Sequence, residues 1–458
     1  MSHRKLMGPL VTLVLVCTLI APAMTAPALA YSSYPLEPDD DEVEDALDYL
    51  EGVQEADGSI GGYNPSAWAV MAIAAAGENP HECGDPSVVD YLRDNAGLLA
   101  DEYNLATGYE RMILAIVAAC EDPSAFGAGD PTYAPDGDYL SKLKEMHNGT
   151  QFVDQWGATD LLNDDFWGVL ALIAAGEDPD SDMIQSCVAF IEANQGEDGG
   201  WSWATPDNTW YSGSDVDDTA VGIIALIAAG EGPGSDAIAD ALAYLHTEQD
   251  DTGGFGFEDW MSGELVVNSA STSWVTQAIV AAGQDPISGD WTLDDNPVNV
   301  LLTFQEESGA FIWYPDCGWP GCEARERITS YAIPALLGVP YPVIPTVCPV
   351  SIDIKPGSFP NSINPGSKGV IPVAILTTAS FDASVVDAST VLFGPATVTA
   401  VHHALEDVDG DGDVDMILHF RTQDTGISSG DTEATLTGET ADGRKILGTD
   451  SLRTVPGQ

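Results

Sequence analysis

The residues best suited to chemistry crowd into one stretch. Between Gly199 and Gly230 the chain runs Gly199-Gly200-Trp201-Ser202-Trp203, Pro206-Asp207-Asn208, Trp210-Tyr211 and Asp215-Val216-Asp217-Asp218-Thr219-Ala220, then an apolar Ala/Ile/Leu segment. Neighbouring carboxylates cannot all ionise cheaply in a partly buried site, so one proton is expected to be held at a raised pKa. The same residues also suit a structural role. Asp or Thr at the start of a buried helix satisfies free backbone N–H groups and favours the helix dipole, and aromatics after a Gly-Gly turn can wedge between helices.

A second constellation lies near the other end of the chain. Asp407-Val408-Asp409-Gly410-Asp411-Gly412-Asp413-Val414-Asp415 sets oxygens at alternate positions around a Gly-enabled turn, as a hard cation requires. Leu418 stands where an EF-hand has its bidentate Glu, and the flanks read as strands. A β-hairpin calcium loop is expected, with Asp407, Asp409, Asp411 and Asp415 as side-chain ligands and Asp413 within the loop. Calcium there would be structural. No cysteine or histidine spacing matches a zinc site.

These groups must be positioned by repeats. Small-residue helices end in a breaker at Gly77-Glu78-Asn79-Pro80, Cys120-Glu121-Asp122-Pro123, Gly176-Glu177-Asp178-Pro179, Gly230-Glu231-Gly232-Pro233 and Gly283-Gln284-Asp285-Pro286, with a degenerate copy near Gly338 and Pro340. Gly takes the left-handed cap and Pro cannot continue the helix. Each is preceded by another helix, as at Tyr49 to Gln54, Phe190 to Gln195, Tyr244 to Gln249 and Leu301 to Gln305, then by an acidic, Gly-rich turn. The unit is a helical hairpin of roughly 45–55 residues, and six copies can close a ring. The second helix of each unit is apolar nearly all round and belongs inside. The expectation is a multidomain chain: an all-α (α/α)6 toroid of six helical hairpins over 38–343, a linker at 344–349, and an all-β sandwich-like domain over 350–458.

Residues 1–30 read as a secretory signal peptide. Arg4 and Lys5 precede the apolar run Leu10 to Ala21, and Ala28-Leu29-Ala30 suits cleavage. The run is shorter than the ~20 residues a spanning helix needs, so a secreted or cell-surface protein is expected, with no transmembrane segment in the mature chain. The net charge is −59, which becomes −59 − 2 = −61 once Arg4 and Lys5 leave. Such a polyanion repels phosphate backbones, so nucleic acid is not a partner. Of the cysteines left after Cys17 goes, Cys317 and Cys322 flank a tight loop and form the expected disulfide; Cys83, Cys120, Cys187 and Cys348 could pair in several ways.

The aromatic-Leu-x3-Gln-xn-Gly-Gly-aromatic units resemble the repeats of the squalene-cyclase and protein-prenyltransferase superfamily of α/α toroids. Gly199 to Val221 is similar to the acid-motif segment of class II terpene cyclases, and Ile352 to Ser358 with the acidic loop resembles a β module of prokaryotic secreted and surface proteins. The resemblance implies that Asp217, the middle Asp, protonates an alkene or epoxide while Asp215 and Asp218 orient it. Aromatic faces would then stabilise a carbocation; the candidates are Trp201, Trp203, Trp210, Tyr211, Phe255, Phe257, Trp260 and Trp313. A prenyltransferase zinc site is not matched, since the sixth unit has no His.

Class II cyclases of this superfamily work between two toroids, whereas this chain has one and is read as exported. The main reading is therefore an exported or cell-surface protein whose toroid binds a small-molecule or glycan ligand in its cavity or mouth, beside a calcium-binding β domain. The alternative is an acid-initiated class II cyclase-like enzyme using Asp217, and a second alternative is a carbohydrate-binding or carbohydrate-active toroid.

Overall fold

The repeat grammar becomes hydrogen bonds. The computed structural model describes residues 33–456 apart from 212, 260–261, 316, 318–321, 323, 379–380 and 442, so the leader 1–30 and Trp260 lie outside the described residues. A helical, toroid-like region is followed by a separate sheet-rich region. Twelve α-helices of the described residues alternate between two layers: α1 Asp41–Gly52, α2 Tyr63–Ala75, α3 Val88–Asp94, α4 Leu105–Ala118, α5 Tyr139–Glu145, α6 Asn163–Ala174, α7 Asp182–Ala193, α8 Val216–Ala228, α9 Asp236–Glu248, α10 Ser269–Ala281, α11 Pro297–Leu302 and α12 Arg325–Leu336. The even-numbered helices pack side by side in order, and α12 returns to α2. The odd-numbered helices lie outside them.

Apolar spacing sorts the two layers. On α1 only Val43, Ala46, Leu47 and Leu50 are buried, and on α7 Ile184, Cys187, Val188 and Ile191, one stripe per helix. Most of α8 is buried, from Thr219 through Leu226. The repeated Gln explains how hairpins join. Gln195 donates its amide to the Gly199 carbonyl of its own turn at 2.7 Å and to Ala237 of the next outer helix at 2.8 Å. Gln249 does the same with Gly253 and Trp291. Gln305 reaches Gly309 and, at 2.8 Å, the Glu42 carbonyl of the first repeat, closing the ring.

One helix stop departs from the pattern with a reason. Gly176 and Gly230 take φ of 82° and 95°, but in the second copy Cys120 occupies that position at φ 63°. It forms a disulfide with Cys348, joining the end of α4 to the sheet region. Cys317 pairs with Cys322, while Cys83 and Cys187 are free thiols.

In the C-terminal region, one sheet runs Val398–Thr399, Leu392–Phe393, Glu433–Glu439, Lys445–Ser451 and Val347–Pro349, with only the last pair parallel. The other runs His402–Glu406, Asp415–Arg421, Val370–Ile375 and Ile352–Ile354, all antiparallel. Their inward residues share one core, in which Phe393 and Phe420 lie 5.0 Å apart. The stretch expected to be a linker, 344–349, is partly strand: Val347 to Pro349 is extended and pairs with Lys445 to Leu447, completing the sheet edge, where a Pro is tolerated. Just before it, Tyr341 is buried inside the helical region.

Candidate active site

Each inner helix is entered through the same lock. The hydroxyls of Ser66, Thr219, Thr272 and Thr329 accept the backbone N–H of Ile60, Trp201, Phe255 and Phe311 at 2.9–3.1 Å, and Asp165 does so for Phe152. These locks align the repeats residue by residue. Two positions before the lock stand Asn64, Asn163, Asp217, Ala270 and Arg327; two positions after it stand Trp68, Trp167, Val221, Trp274 and Tyr331. Counting from the helix stop adds Thr107 and Arg111 from α4 to the two sets. The sets are four residues apart, so they share a helix face and lie about 6 Å apart along the axis.

The lower set faces the toroid axis. Trp68, Trp167 and Trp274 come from alternate inner helices and meet at centroid distances of 5.4, 5.8 and 5.6 Å. Tyr331 joins at 5.0 Å from Trp68 and 4.7 Å from Trp274. One turn further on, every inner helix has alanine: Ala72, Ala115, Ala171, Ala225, Ala278 and Ala335, all buried. Into the space they leave comes Tyr341, from beyond the end of α12, with its ring 5.6 Å from those of Trp68 and Trp274. The axis is thereby plugged. Asn64, Thr107, Asn163, Asp217 and Arg327 keep partial exposure above the plug, so the stripe they share forms a polar wall above an aromatic floor.

Asp217 sits on that wall. Burial first, and then the charge of Asp215, raise its pKa to about 7, while the Ser271 hydroxyl from α10 draws it back. One of its oxygens is buried without a hydrogen-bond partner. Asp215 has the capping role: it accepts the Asp218 N–H at 2.9 Å, and its own N–H bonds to the Trp201 carbonyl. Burial raises both Asp215 and Asp218, and Asp218 is pushed further by the adjoining Asp215 carboxylate. A hydroxylated floor residue completes the surroundings: burial takes Tyr331 to about 12, with Arg327 and Arg111 lowering and Asp217 raising it.

A second buried group lies to one side, on α4 and α6. Glu110 and Asp165 are pushed well above the usual carboxylate range by burial, and Asp164 reaches about 7 for the same reason.

The aromatic candidates separate. Trp201 and Phe255 are 1% and 0% exposed and belong to the core. Trp201 donates its indole N–H to Ile191 on the outer helix α7, at 2.9 Å, so it wedges hairpins together and offers no face to a ligand. This corrects the expectation for both residues, because the lock at Thr219 or Thr272 turns the aromatic away from the axis. Trp203 and Tyr211 are half-buried, and Trp210 is 79% exposed. Phe257 and Trp313 pack together at 5.5 Å, beside the start of α10, where Ser269 bonds to the Trp313 carbonyl. Trp68, Trp167, Trp274, Tyr331 and Tyr341 are not among the residues the sequence singled out; the hydroxyl locks mark Trp68, Trp274 and Tyr331, and Trp167 follows only once Asp165 is seen to serve as the lock of its repeat.

In the sheet region, Asp407, Asp409 and Asp415 bring carboxylate oxygens within 4.8 Å of one another, a grouping that does not include Asp411 or Asp413. Asp415 is buried, and its two oxygens accept the N–H groups of Thr377 and Val408 at 2.8 Å each. Asp411 and Asp413 are exposed on the turn.

Comparison with known proteins bears on the same segment. The family model of the squalene-hopene cyclase C-terminal domain matches residues 128–265, which include Asp215 to Asp218. Residues 128–265 of the helical region are thus squalene-cyclase-like in sequence. The squalene–hopene cyclase of Zymomonas mobilis is 33% identical over 142 residues, 29% of this chain and 20% of the relative, so the chain spans about a fifth of that protein's length. Among solved structures, the toroid is similar to the type II terpene cyclase MstE from Scytonema, with a TM-score of 0.44 and 13% identity over 65% of this chain and 96% of that one. An ent-copalyl diphosphate synthase from Streptomyces platensis has a TM-score of 0.40 at 18% identity, covering 60% of this chain and 50% of its own. A glycosidase has a TM-score of 0.41 at 13% identity, over 65% of this chain and 96% of its own. No helix of the described residues is long and apolar enough to cross a membrane.

Proposed function

We propose that the toroid carries out acid-initiated cyclisation of an isoprenoid at its axis, with Asp217 as the general acid. The observation that carries this reading is a carboxyl group that burial raises to about 7, with an unpartnered oxygen, one helical turn before the level of the axial Trp and Tyr rings. The protonated Asp217 carboxyl gives its proton to an alkene carbon. The electron pair of that π bond forms the new C–H bond and leaves a carbocation, which a second alkene of the same molecule attacks to close a ring. Proton loss from the final cation to water or a carboxylate restores neutrality. The floor rings stabilise the positive charge through their faces, and the charge of Asp215 beside Asp217 helps hold the proton there until the alkene takes it. The match across residues 128–265 supports this reading over ligand binding alone.

Purified protein incubated with squalene and with shorter polyprenyl compounds, beside Asp217→Asn, tests it. Cyclic products that depend on Asp217 are expected. Their absence, together with a ligand that co-purifies and is identified by mass spectrometry, would return the toroid to a carrier role.

We also propose that the C-terminal loop holds a structural calcium ion through Asp407, Asp409 and Asp415, supported by the convergence of their oxygens and the acidic turn of Asp411 and Asp413 around them. Export is the matching proposal for location, supported by the apolar leader and by two disulfides.

A further inference from the structure

Of the seven histidines in the chain, His3 lies outside the described residues and three are engaged in the helical region. His81 bonds to the Ala119 carbonyl, His147 bonds to the Ser186 hydroxyl, and His246 stacks on Trp291 at 3.6 Å. The other three, His402, His403 and His419, all fall in one β-hairpin of the sheet region, made by the strands His402–Glu406 and Asp415–Arg421.

The register of that hairpin brings two of them together. His402 and His419 are directly opposed across the antiparallel pair, and their rings lie 5.6 Å apart with 34° between their planes. Leu418 and Phe420, on either side of His419, are buried in the sheet core, so the half-buried His419 belongs to the outer face, where exposed His402 stands beside it. His403 takes the other side of its strand, opposite Leu418. The Nδ1 of His419 is buried without a hydrogen-bond partner. A buried ring nitrogen left unpaired is unfavourable, and imidazole nitrogen is a ligand suited to zinc, copper and nickel. With Zn–N bonds of about 2.0–2.1 Å, two imidazoles on one ion have ring centres roughly 5 Å apart. The observed pair is already close to that spacing. No local spacing in the sequence announces it, because only strand pairing makes the two residues neighbours.

The strand that carries His402 has a use for a clip. His402–Glu406 is the last strand at one edge of its sheet and pairs on one side only. Four of its five residues are exposed, so few apolar contacts hold it down. We propose that His402 and His419 form a two-histidine site for a borderline divalent ion of the zinc class, with water completing the coordination, and that the ion clips this edge strand to the sheet. The site is chemically distinct from the acidic loop at the other end of the same hairpin, whose carboxylate oxygens suit calcium. It stands apart from the chemistry of the toroid and does not require calcium in the loop.

Untagged full-length protein is titrated with zinc chloride in calcium-saturated buffer, and hydrogen exchange of the backbone amides of 401–406 is followed with and without zinc. Zinc is expected to bind and to slow exchange in that strand at least tenfold. His402→Ala, at an exposed position, is expected to keep the metal-free melting temperature and to abolish the protection by zinc. His403→Ala, on the other side of the strand, is expected to keep that protection. No zinc binding, binding that leaves exchange at 401–406 unchanged, equal protection in His402→Ala, or as large a loss in His403→Ala overturns the proposal.

Discussion

Asp215 accepts the amide proton of Asp218 at 2.9 Å, while Asp217, between them in sequence, keeps a buried oxygen without a partner. The cap and the unpartnered carboxyl are thus different residues of one motif. Asp217→Asn should abolish turnover and yet raise the melting temperature at pH 8. The expected gain is about 1–3 kcal/mol, because each pKa unit of elevation represents ~1.4 kcal/mol of discomfort for the charged form and relaxation relieves part of it. Thermal unfolding of the two proteins at pH 8 and pH 5 checks this; the difference should shrink at pH 5. Asp215→Ala should instead destabilise, by the ~1 kcal/mol of a lost cap.

Stability should fall as pH rises. Asp164, Asp217 and Glu121 each reach about 7 in the folded protein, from ordinary values of 3.8, 3.8 and 4.5. The folded state therefore holds protons that the unfolded chain has released. Their contribution is fully present below about pH 4 and is lost progressively up to about pH 7. Melting temperatures from pH 4.5 to 8.5 in high salt should decline across that window, and Asp164→Asn should flatten the decline. A profile rising with pH would contradict the buried-acid assignment.

Tyr341 plugs the toroid axis among the rings of Trp68, Trp167 and Trp274, with its hydroxyl buried and unpartnered. Tyr341→Phe should therefore be neutral or slightly stabilising. Tyr341→Ala should cost about 3–5 kcal/mol, as large aromatic deletions from cores do. Chemical denaturation of both variants distinguishes a plug from a loosely placed linker side chain.

The Cys120–Cys348 bond ties the end of α4 to the first strand of the sheet region across 228 residues. Cys348→Ser should lower stability by about 2–4 kcal/mol and admit proteases near Ile344, which is 49% exposed. Limited proteolysis under non-reducing conditions reads the effect.

Calcium should raise the melting of the sheet region, and Asp409→Ala should erase that response. Asp415→Ala should lower the melt even without calcium, since Asp415 also holds Thr377 and Val408. Calorimetry with calcium and with chelator separates the two variants.

Much was legible in the chain because the repeats make local rules speak for the whole. Gly followed by Pro marked the helix stops, the recurring Gln marked the hairpins, and Asp215-Val216-Asp217-Asp218 marked the carboxylate cluster at the start of α8. The apolar period of α1 and α7 told outer helices from inner ones, since a one-sided stripe has only one face to bury. Which aromatics face the axis was not legible locally. Trp201 and Trp68 are equally apolar, but the hydroxyl lock sends the first between hairpins, and closure of the ring sends the second to the centre. Tyr341 as plug and Cys348 as the partner of Cys120 both depend on contacts between distant parts of the chain. Periodicity records which way a side chain leaves its own helix; only packing of all six inner helices decides what it meets there.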